Sequence, residues 1–109
     1  GLFLIVCADS VEEAKKIAAF HPPCIAVEPP ELIGSGISVS TAKPEIVTHS
    51  VREIKRIGKG IAVLVGAGVS NAADVKKSLE LGAEGVLLAS AFVKSRNPAK
   101  LLEEMLSEI

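Results

Sequence analysis

The chain has 109 residues, of which 49% are apolar and 23% charged, and its formal net charge at pH 7 is −1. This length corresponds to one modest domain and leaves no room for a second one. The only aromatic residues are three phenylalanines, and the basic residues are not clustered, so composition argues against a nucleic-acid interface and against binding to an anionic membrane.

The first predicted element is a strand over the apolar run Leu2–Ala8. Ser10 and Glu13 follow it with the spacing of a capping box, which predicts the start of a helix. The apolar positions of that helix recur on one face: Val11, Ala14, Ile17 and Ala18. The run Leu2–Ala8 has no basic flank and is too short to span a bilayer, so we expect a cytoplasmic protein.

Three more apolar runs of strand length begin near Cys24, Ile61 and Gly85, and each precedes a stretch with helical spacing. The expected helix starts are Pro44, Ser70 or Asn71, and Asn97 with Pro98. Continuous apolar strands that each return through a helix imply a parallel sheet covered by helices. The sequence therefore predicts an α/β fold of four consecutive βα units.

The second unit has the longest connection, Pro29–Lys43, at the carboxyl end of its strand, where parallel α/β folds bind ligands. Glu28 ends that strand, and two prolines and a glycine-rich tip follow it. A carboxylate that is desolvated under a closing loop is suited to take a proton from carbon. Glu31, inside the polar loop, is the competing acid, although solvation or a salt bridge is its simpler role.

Small residues end the third and fourth strands, in the runs Gly66-Ala67-Gly68 and Ala89-Ser90-Ala91. Adjacent turns of this kind let backbone N–H groups converge on an anion. A Gly-Ala-Gly run alone is equally typical of a simple tight turn, so the inference depends on the pair of turns together with the loop.

Four segments, AVEPPELIGSG, VSTAKPEI, VGAGV and GVLLASA, together resemble the triosephosphate isomerase family in its short archaeal form. The resemblance extends over essentially the whole chain. It implies that the four βα units correspond to strands five to eight of a (β/α)8 TIM barrel. Residues 1–109 would then be a single (β/α)4 half-barrel, the carboxyl-terminal half of that domain.

The resemblance also implies an activity, the interconversion of dihydroxyacetone phosphate and D-glyceraldehyde 3-phosphate through an enediolate. Glu28 would be the proton acceptor and Pro29–Val39 the closing lid, roles that are well known in this family. The implied substrate- and phosphate-binding residues are Ile33, Gly34, Gly68, Ala89 and Ser90. The family uses no metal or organic cofactor for this reaction, so none is expected for this chain.

Two functional elements of the family are missing, namely the Asn-x-Lys of the first barrel strand and the histidine of the fourth. We do not expect His21 or His49 to replace that histidine, because one precedes a strand and the other lies within a helix. Lys43 is interpreted as a solvated charge near the lid. Cys7 and Cys24 are interpreted as buried, reduced thiols, since neither has metal-ligand or CxxC spacing.

Alternatives remain open. The chain could be a noncatalytic phosphate-binding half-barrel, inactive without the amino-terminal half, or part of a phosphate-binding barrel enzyme of tryptophan or histidine biosynthesis, which the sequence Glu28-Pro-Pro disfavours. The expected partners are a triose phosphate and the amino-terminal half of the barrel, because a four-stranded sheet leaves two edges unpaired. The complete enzyme is expected to be a homo-oligomer, and the chain looks like a segment of a longer polypeptide.

Overall fold

The computed structural model describes all of residues 1–109. Its four strands are β1 (Ile5–Ala8), β2 (Cys24–Val27), β3 (Ala62–Val65) and β4 (Gly85–Val86). Its six α-helices are α1 (Val11–Ala18), α2 (Val39–Ala42), α3 (Pro44–Ile57), α4 (Ala72–Glu80), α5 (Ser90–Val93) and α6 (Pro98–Leu106), and a single 3-10 turn covers Pro30–Leu32. None of the helices has the length and apolar character that crossing a membrane requires.

The strands form one parallel sheet in the order β1-β2-β3-β4, which is also their order in the chain. In register, Ile5 of β1 lies beside Cys24 of β2, which lies beside Ala62 of β3. Each strand is followed by at least one helix before the next begins. The predicted α/β class with four consecutive βα units is therefore confirmed.

The two outer strands are shorter than predicted. β1 begins at Ile5 rather than Leu2, and β4 ends at Val86 rather than Ala89. Each of these strands pairs with a neighbour on one side only. In each case the apolar run extends beyond the paired residues. An edge strand has only one neighbouring strand, so these additional residues are not held in a hydrogen-bonded ladder on both sides.

Side-chain caps begin three of the helices where the sequence predicts them. The Ser10 hydroxyl accepts the Glu13 N–H at 3.2 Å, the first half of the expected capping box. Asn71, rather than Ser70, caps α4, because its side-chain oxygen accepts the Asp74 N–H at 3.0 Å. At the last helix, α6, the Asn97 side chain caps in the same way and Pro98 occupies the first helical position.

One face of the sheet is packed under the helices. The other, the open face, is only partly covered, and there Cys24 and Ala26 of β2 are buried. The residues that face the helices are fully buried: Ile25, Val27, Val63 and Val65. On the opposite face, Ile5 is exposed and Leu64 is only half-buried. Because side chains alternate along a strand, Glu28 follows Ala26 onto the open face. The fold therefore turns this carboxylate away from the helices.

An ion pair between Lys55 and Glu84 links helix α3 to the amino end of the sheet. The Glu84 carboxylate also accepts the N–H of Val63 at 3.3 Å, and the Lys55 ammonium donates to the carbonyl of Ile61 at 2.6 Å. Hydrogen bonding from Lys55 is the main cause that lowers the pKa of Glu84 below its usual value of 4.5. This network stabilises the end of the sheet that is remote from the long loop.

Replacing Glu84 by Gln should lower the free energy of unfolding at pH 7 by less than about 1 kcal/mol, because the side chain is half-exposed and solvent screens the pair. A depressed folded-state pKa stabilises the fold above about pH 4.5, and that stabilisation is lost as the pH falls through the folded-state pKa. Urea unfolding should therefore show a smaller difference between wild type and Glu84→Gln at pH 3 than at pH 7. Glu80→Gln, at an exposed residue without an ion pair, is the control, and an equal difference at both pH values would contradict the interpretation.

Candidate functional site

The carboxyl ends of the strands border a cleft of about 590 Å³. Its walls come from the long loop after β2 and from the segments that follow β3 and β4. All six predicted site residues line this one cleft: Glu28, Ile33, Gly34, Gly68, Ala89 and Ser90. Residues that are up to 62 positions apart in the chain are thus brought together by the parallel arrangement of the strands.

Glu28 is a half-buried residue of the cleft wall, and its N–H donates to the carbonyl of Ala8 at 2.8 Å. Its side chain lies across the backbone of Gly66. A Cβ atom on Gly66 would come within 2.5 Å of the Glu28 Cγ and 2.7 Å of its Oε2. Gly66 therefore makes room for the carboxylate. This role was not predicted, because the sequence pattern indicates this glycine only as part of a turn.

Cys7 lies beside Glu28 on the open face of the sheet. Hydrogen bonding to the Glu28 carboxylate is the main cause that raises the pKa of the Cys7 thiol to about 11, and partial burial and then the charge of Glu28 act in the same direction. The prediction that this thiol is buried is wrong, because Cys7 is exposed and nothing in the chain covers the face of β1 on which it lies. Cys24, by contrast, is buried as predicted.

Alkylation by iodoacetamide provides a test of this contact. At pH 8 the Cys7 thiol should react slowly, because a pKa of about 11 leaves little thiolate. Glu28→Gln removes the charge, so the pKa should fall and the rate at pH 8 should rise several-fold, while burial and Asp9 continue to raise the pKa. Peptide mass spectrometry can follow Cys7 separately, with buried Cys24 as the internal control. Equal Cys7 rates in the two proteins would show that Glu28 does not act on this thiol.

The long loop has an exposed tip between two buried ends. Leu32 is buried before the tip and Ser38 after it, whereas the five residues from 33 to 37 are exposed. Gly34 and Gly36 adopt φ values of +73° and +78°, which residues with a side chain rarely adopt. The tip's internal hydrogen bonds are local, as in the Ile37 N–H that donates to the Ser35 hydroxyl at 3.0 Å.

The distal end of the loop is attached to the turn after β3. The Val39 N–H donates to the carbonyl of Ala67 at 3.1 Å. Gly68 has a φ of +72°, and a Cβ atom there would lie 1.8 Å from the Ile37 carbonyl oxygen. The loop and the Gly66-Ala67-Gly68 turn therefore form one contact, which only a glycine at position 68 permits.

An ion pair between Glu31 and Lys43 joins the two ends of the long connection. The hydrogen bond from Lys43 is the main cause that lowers the pKa of Glu31. The salt bridge considered for Glu31 is therefore present, and Lys43, expected to be a solvated charge, is the half-exposed partner in that pair. Neither residue lines the cleft.

Several backbone donors of the cleft are unpaired. The N–H groups of Gly34, Gly68, Ala89 and Ser90 make no hydrogen bond within the chain. The Ile33 N–H differs, because it donates to the Pro30 carbonyl at 3.3 Å, so Ile33 contributes its side chain to the cleft. Free N–H groups from the loop and from two strand ends are the arrangement that an anionic group needs.

Both histidines lie outside the cleft. His49 is half-exposed on α3, with its Nε2 3.8 Å from Glu53, and His21 packs against Gly58 near the amino end of β3. No group of three or more His, Cys, Asp or Glu side chains is placed to hold a metal ion. Lys94 was not among the predicted site residues, yet it lines the cleft one helical turn beyond Ser90, a spacing that could have indicated it.

Comparison with solved structures supports the fold. The crystal structure of the Amycolatopsis orientalis BexX/CysO complex aligns with a TM-score of 0.73 at 21% identity, over 95% of this chain and 39% of that chain. The monotopic membrane protein (S)-mandelate dehydrogenase aligns with a TM-score of 0.65 at 25% identity, over 99% and 28%. In both cases the chain matches only a part of the solved structure.

Comparison with sequence relatives identifies the family, which the structural comparison does not. Triosephosphate isomerase of Methanocaldococcus jannaschii is 52% identical over 100% of this chain and 50% of its own length. The enzymes named triosephosphate isomerase from Methanobrevibacter smithii and Archaeoglobus fulgidus are each 51% identical, over 95% and 96% of the chain and 47% of their own length. The chain spans about half the length of these relatives, which agrees with four βα units and confirms the predicted half-barrel.

The family model described as Triosephosphate isomerase matches residues 3–105, nearly the whole chain. That match includes β1 to β4 and every residue placed in the cleft. The chain therefore belongs to the triosephosphate isomerase family.

Proposed function

We propose that the chain is the catalytic-glutamate half of a triosephosphate isomerase, which interconverts dihydroxyacetone phosphate and D-glyceraldehyde 3-phosphate once the barrel is complete. The observation that carries the proposal is the shared cleft, whose lining residues supply one carboxylate and four unpaired backbone N–H groups. A substrate with an acidic C–H at one end and a phosphate at the other fits these two features. Family membership supports the same substrate class.

Glu28 is the proposed base. It takes a proton from the carbon beside the substrate carbonyl, and the electron pair of the broken C–H bond forms the enediolate. The same carboxyl group then returns the proton to the neighbouring carbon. The hydroxyl proton of the enediolate moves to the other oxygen, so a carbonyl forms where the hydroxyl was, and no atom or electron is gained or lost over the cycle. Gly66 supports this role, because the absence of a side chain there lets the carboxylate extend across the strand end.

The free N–H groups of Gly68, Ala89 and Ser90 are the proposed hydrogen-bond donors to the phosphate, and the tip of the long loop adds the Gly34 N–H when it closes. Backbone donors suit this task because they are held in position by the fold and lose little freedom on binding. The lid excludes water from the enediolate. No residue in this proposal requires a metal or an organic cofactor.

The electrophile that polarises the carbonyl must come from outside the chain. Both histidines lie away from the cleft, so we propose that the amino-terminal half supplies this group and a substrate-binding lysine. The same observation favours a second candidate for the chain alone, a noncatalytic half-barrel that binds phosphate without turnover. The complete enzyme is proposed to be a cytoplasmic homo-oligomer.

Complementation tests the proposal. The chain alone should show no isomerase turnover, since the lack of an electrophile and of a substrate clamp each removes several kcal/mol of transition-state stabilisation. Adding the amino-terminal half of a homologous archaeal enzyme should restore isomerisation, measured by coupled assay. The complex with Glu28→Gln is the negative control. An inactive complex that still binds phosphate would favour the noncatalytic candidate instead.

A further inference from the structure

We propose that Lys94 is a further phosphate-binding residue, whose ammonium group supplies the positive charge that a dianion needs at this end of the cleft. The inference rests on the proposed function. It concerns a charged side chain, whereas the phosphate-binding groups proposed above are neutral backbone N–H groups.

The charge balance of the cleft leads to this assignment. Among its lining residues, only Glu28 and Lys94 carry a charge. Glu28 must be ionised to accept a proton, so Lys94 is the only positive charge that this chain itself offers to a phosphate dianion, beside the lysine proposed for the amino-terminal half. Like charges at short range repel by amounts that matter once water is excluded. Lys94 is therefore the one lining side chain that can offset this repulsion.

The position of Lys94 is also consistent with a phosphate-binding role. Its own N–H donates to the Ser90 carbonyl at 2.9 Å, which places it one turn after Ser90 at the end of α5. Residues four apart in a helical turn lie on the same side, so the ammonium and the free N–H of Ser90 can reach the same ligand. A lysine head group on a flexible stem binds phosphate as a point charge and can follow it as the lid moves.

Lys94 is also available for a ligand. It is exposed and takes part in none of the ion pairs of the chain. Lys43 and Lys55, by comparison, are paired with Glu31 and Glu84. Among the lysines, only Lys94 is both free of a carboxylate partner and located in the cleft wall.

Inorganic phosphate is the probe for the test. We would titrate the chain with phosphate at pH 7.5 and follow the amide resonances of Gly68, Ala89 and Ser90. Lys94→Gln should weaken binding about tenfold and lower its salt dependence, whereas Lys94→Arg keeps the charge and should stay within about threefold of wild type. Lys76→Gln is the matched control, because Lys76 is exposed, unpaired and outside the cleft.

The outcomes separate the two proposals. If Lys94→Gln binds phosphate as tightly as wild type, with shifts at the same three amides, the role of Lys94 is wrong and the backbone phosphate site stands. If the wild-type chain shows no shift at these amides, the backbone phosphate site and the role of Lys94 are both contradicted for this chain, whatever the complementation assay shows. Phosphate as a competitive inhibitor of the complemented enzyme gives a second measurement. Its inhibition constant should rise about tenfold in Lys94→Gln, and an unchanged constant would overturn the assignment.

Discussion

Glu28→Gln should reduce kcat of the completed barrel by about 10²- to 10⁴-fold, the usual contribution of a positioned general base. The amide has the shape of the carboxylate but cannot accept a proton. It also fits the space above Gly66, so the fold should be retained. Because the groups that bind the phosphate are backbone N–H groups elsewhere in the cleft, KM should change far less than kcat.

Glu31→Gln is the matched control for this prediction. Glu31 lies three residues further along, is exposed, and pairs with Lys43 outside the cleft. Its substitution should change kcat by less than about threefold, because a surface ion pair contributes little. If Glu31→Gln were the severe variant and Glu28→Gln the mild one, the assignment of the base would be wrong.

Removing the exposed tip of the lid should lower isomerisation by about 10²-fold or more and increase the share of turnovers that end in methylglyoxal and free phosphate. An enediolate phosphate that escapes a closed site can expel its phosphate, so the lid must hold the phosphate until Glu28 returns the proton. The structure defines the variant. Residues 33 to 37 are exposed and can be replaced by two glycines, while buried Leu32 and Ser38 are kept.

Product analysis measures the ratio of elimination to isomerisation in this lid variant. Ser35→Ala is the control, since the Ser35 hydroxyl bonds only to Ile37 within the tip and its loss leaves the lid in place. Circular dichroism should show that the shortened protein is still folded. An unchanged ratio in a folded variant would exclude the lid from the mechanism and leave the loop a structural insertion.

Local patterns in the sequence were sufficient for the starts of α1, α3, α4 and α6 and for the parallel class of the sheet, whereas the short helices α2 and α5 were not predicted. Ser10, Asn71 and Asn97 act at short range, because each caps a helix by binding an N–H three residues further on. Consecutive apolar runs joined by helices leave few alternatives to a parallel sheet. The candidate site was predictable for the same reason, since residues that end parallel strands meet at one edge.

Contacts between distant segments were not predictable in this way. Glu28 over Gly66, the Ile37 carbonyl against Gly68 and the Glu31–Lys43 pair each depend on how the long loop returns to the sheet. The exposure of Cys7 was misjudged because an apolar strand suggests burial, whereas burial also requires a second layer over that face.

Sequence alone therefore determined the fold class, the family resemblance and the identity of the candidate base, since all three depend on residue type and spacing along the chain. The tertiary structure decided which backbone N–H groups remain free, where the lid is attached and that Lys94 enters the cleft wall. These features arise from the packing of separate βα units against one another, and residue type and local spacing alone do not specify such contacts.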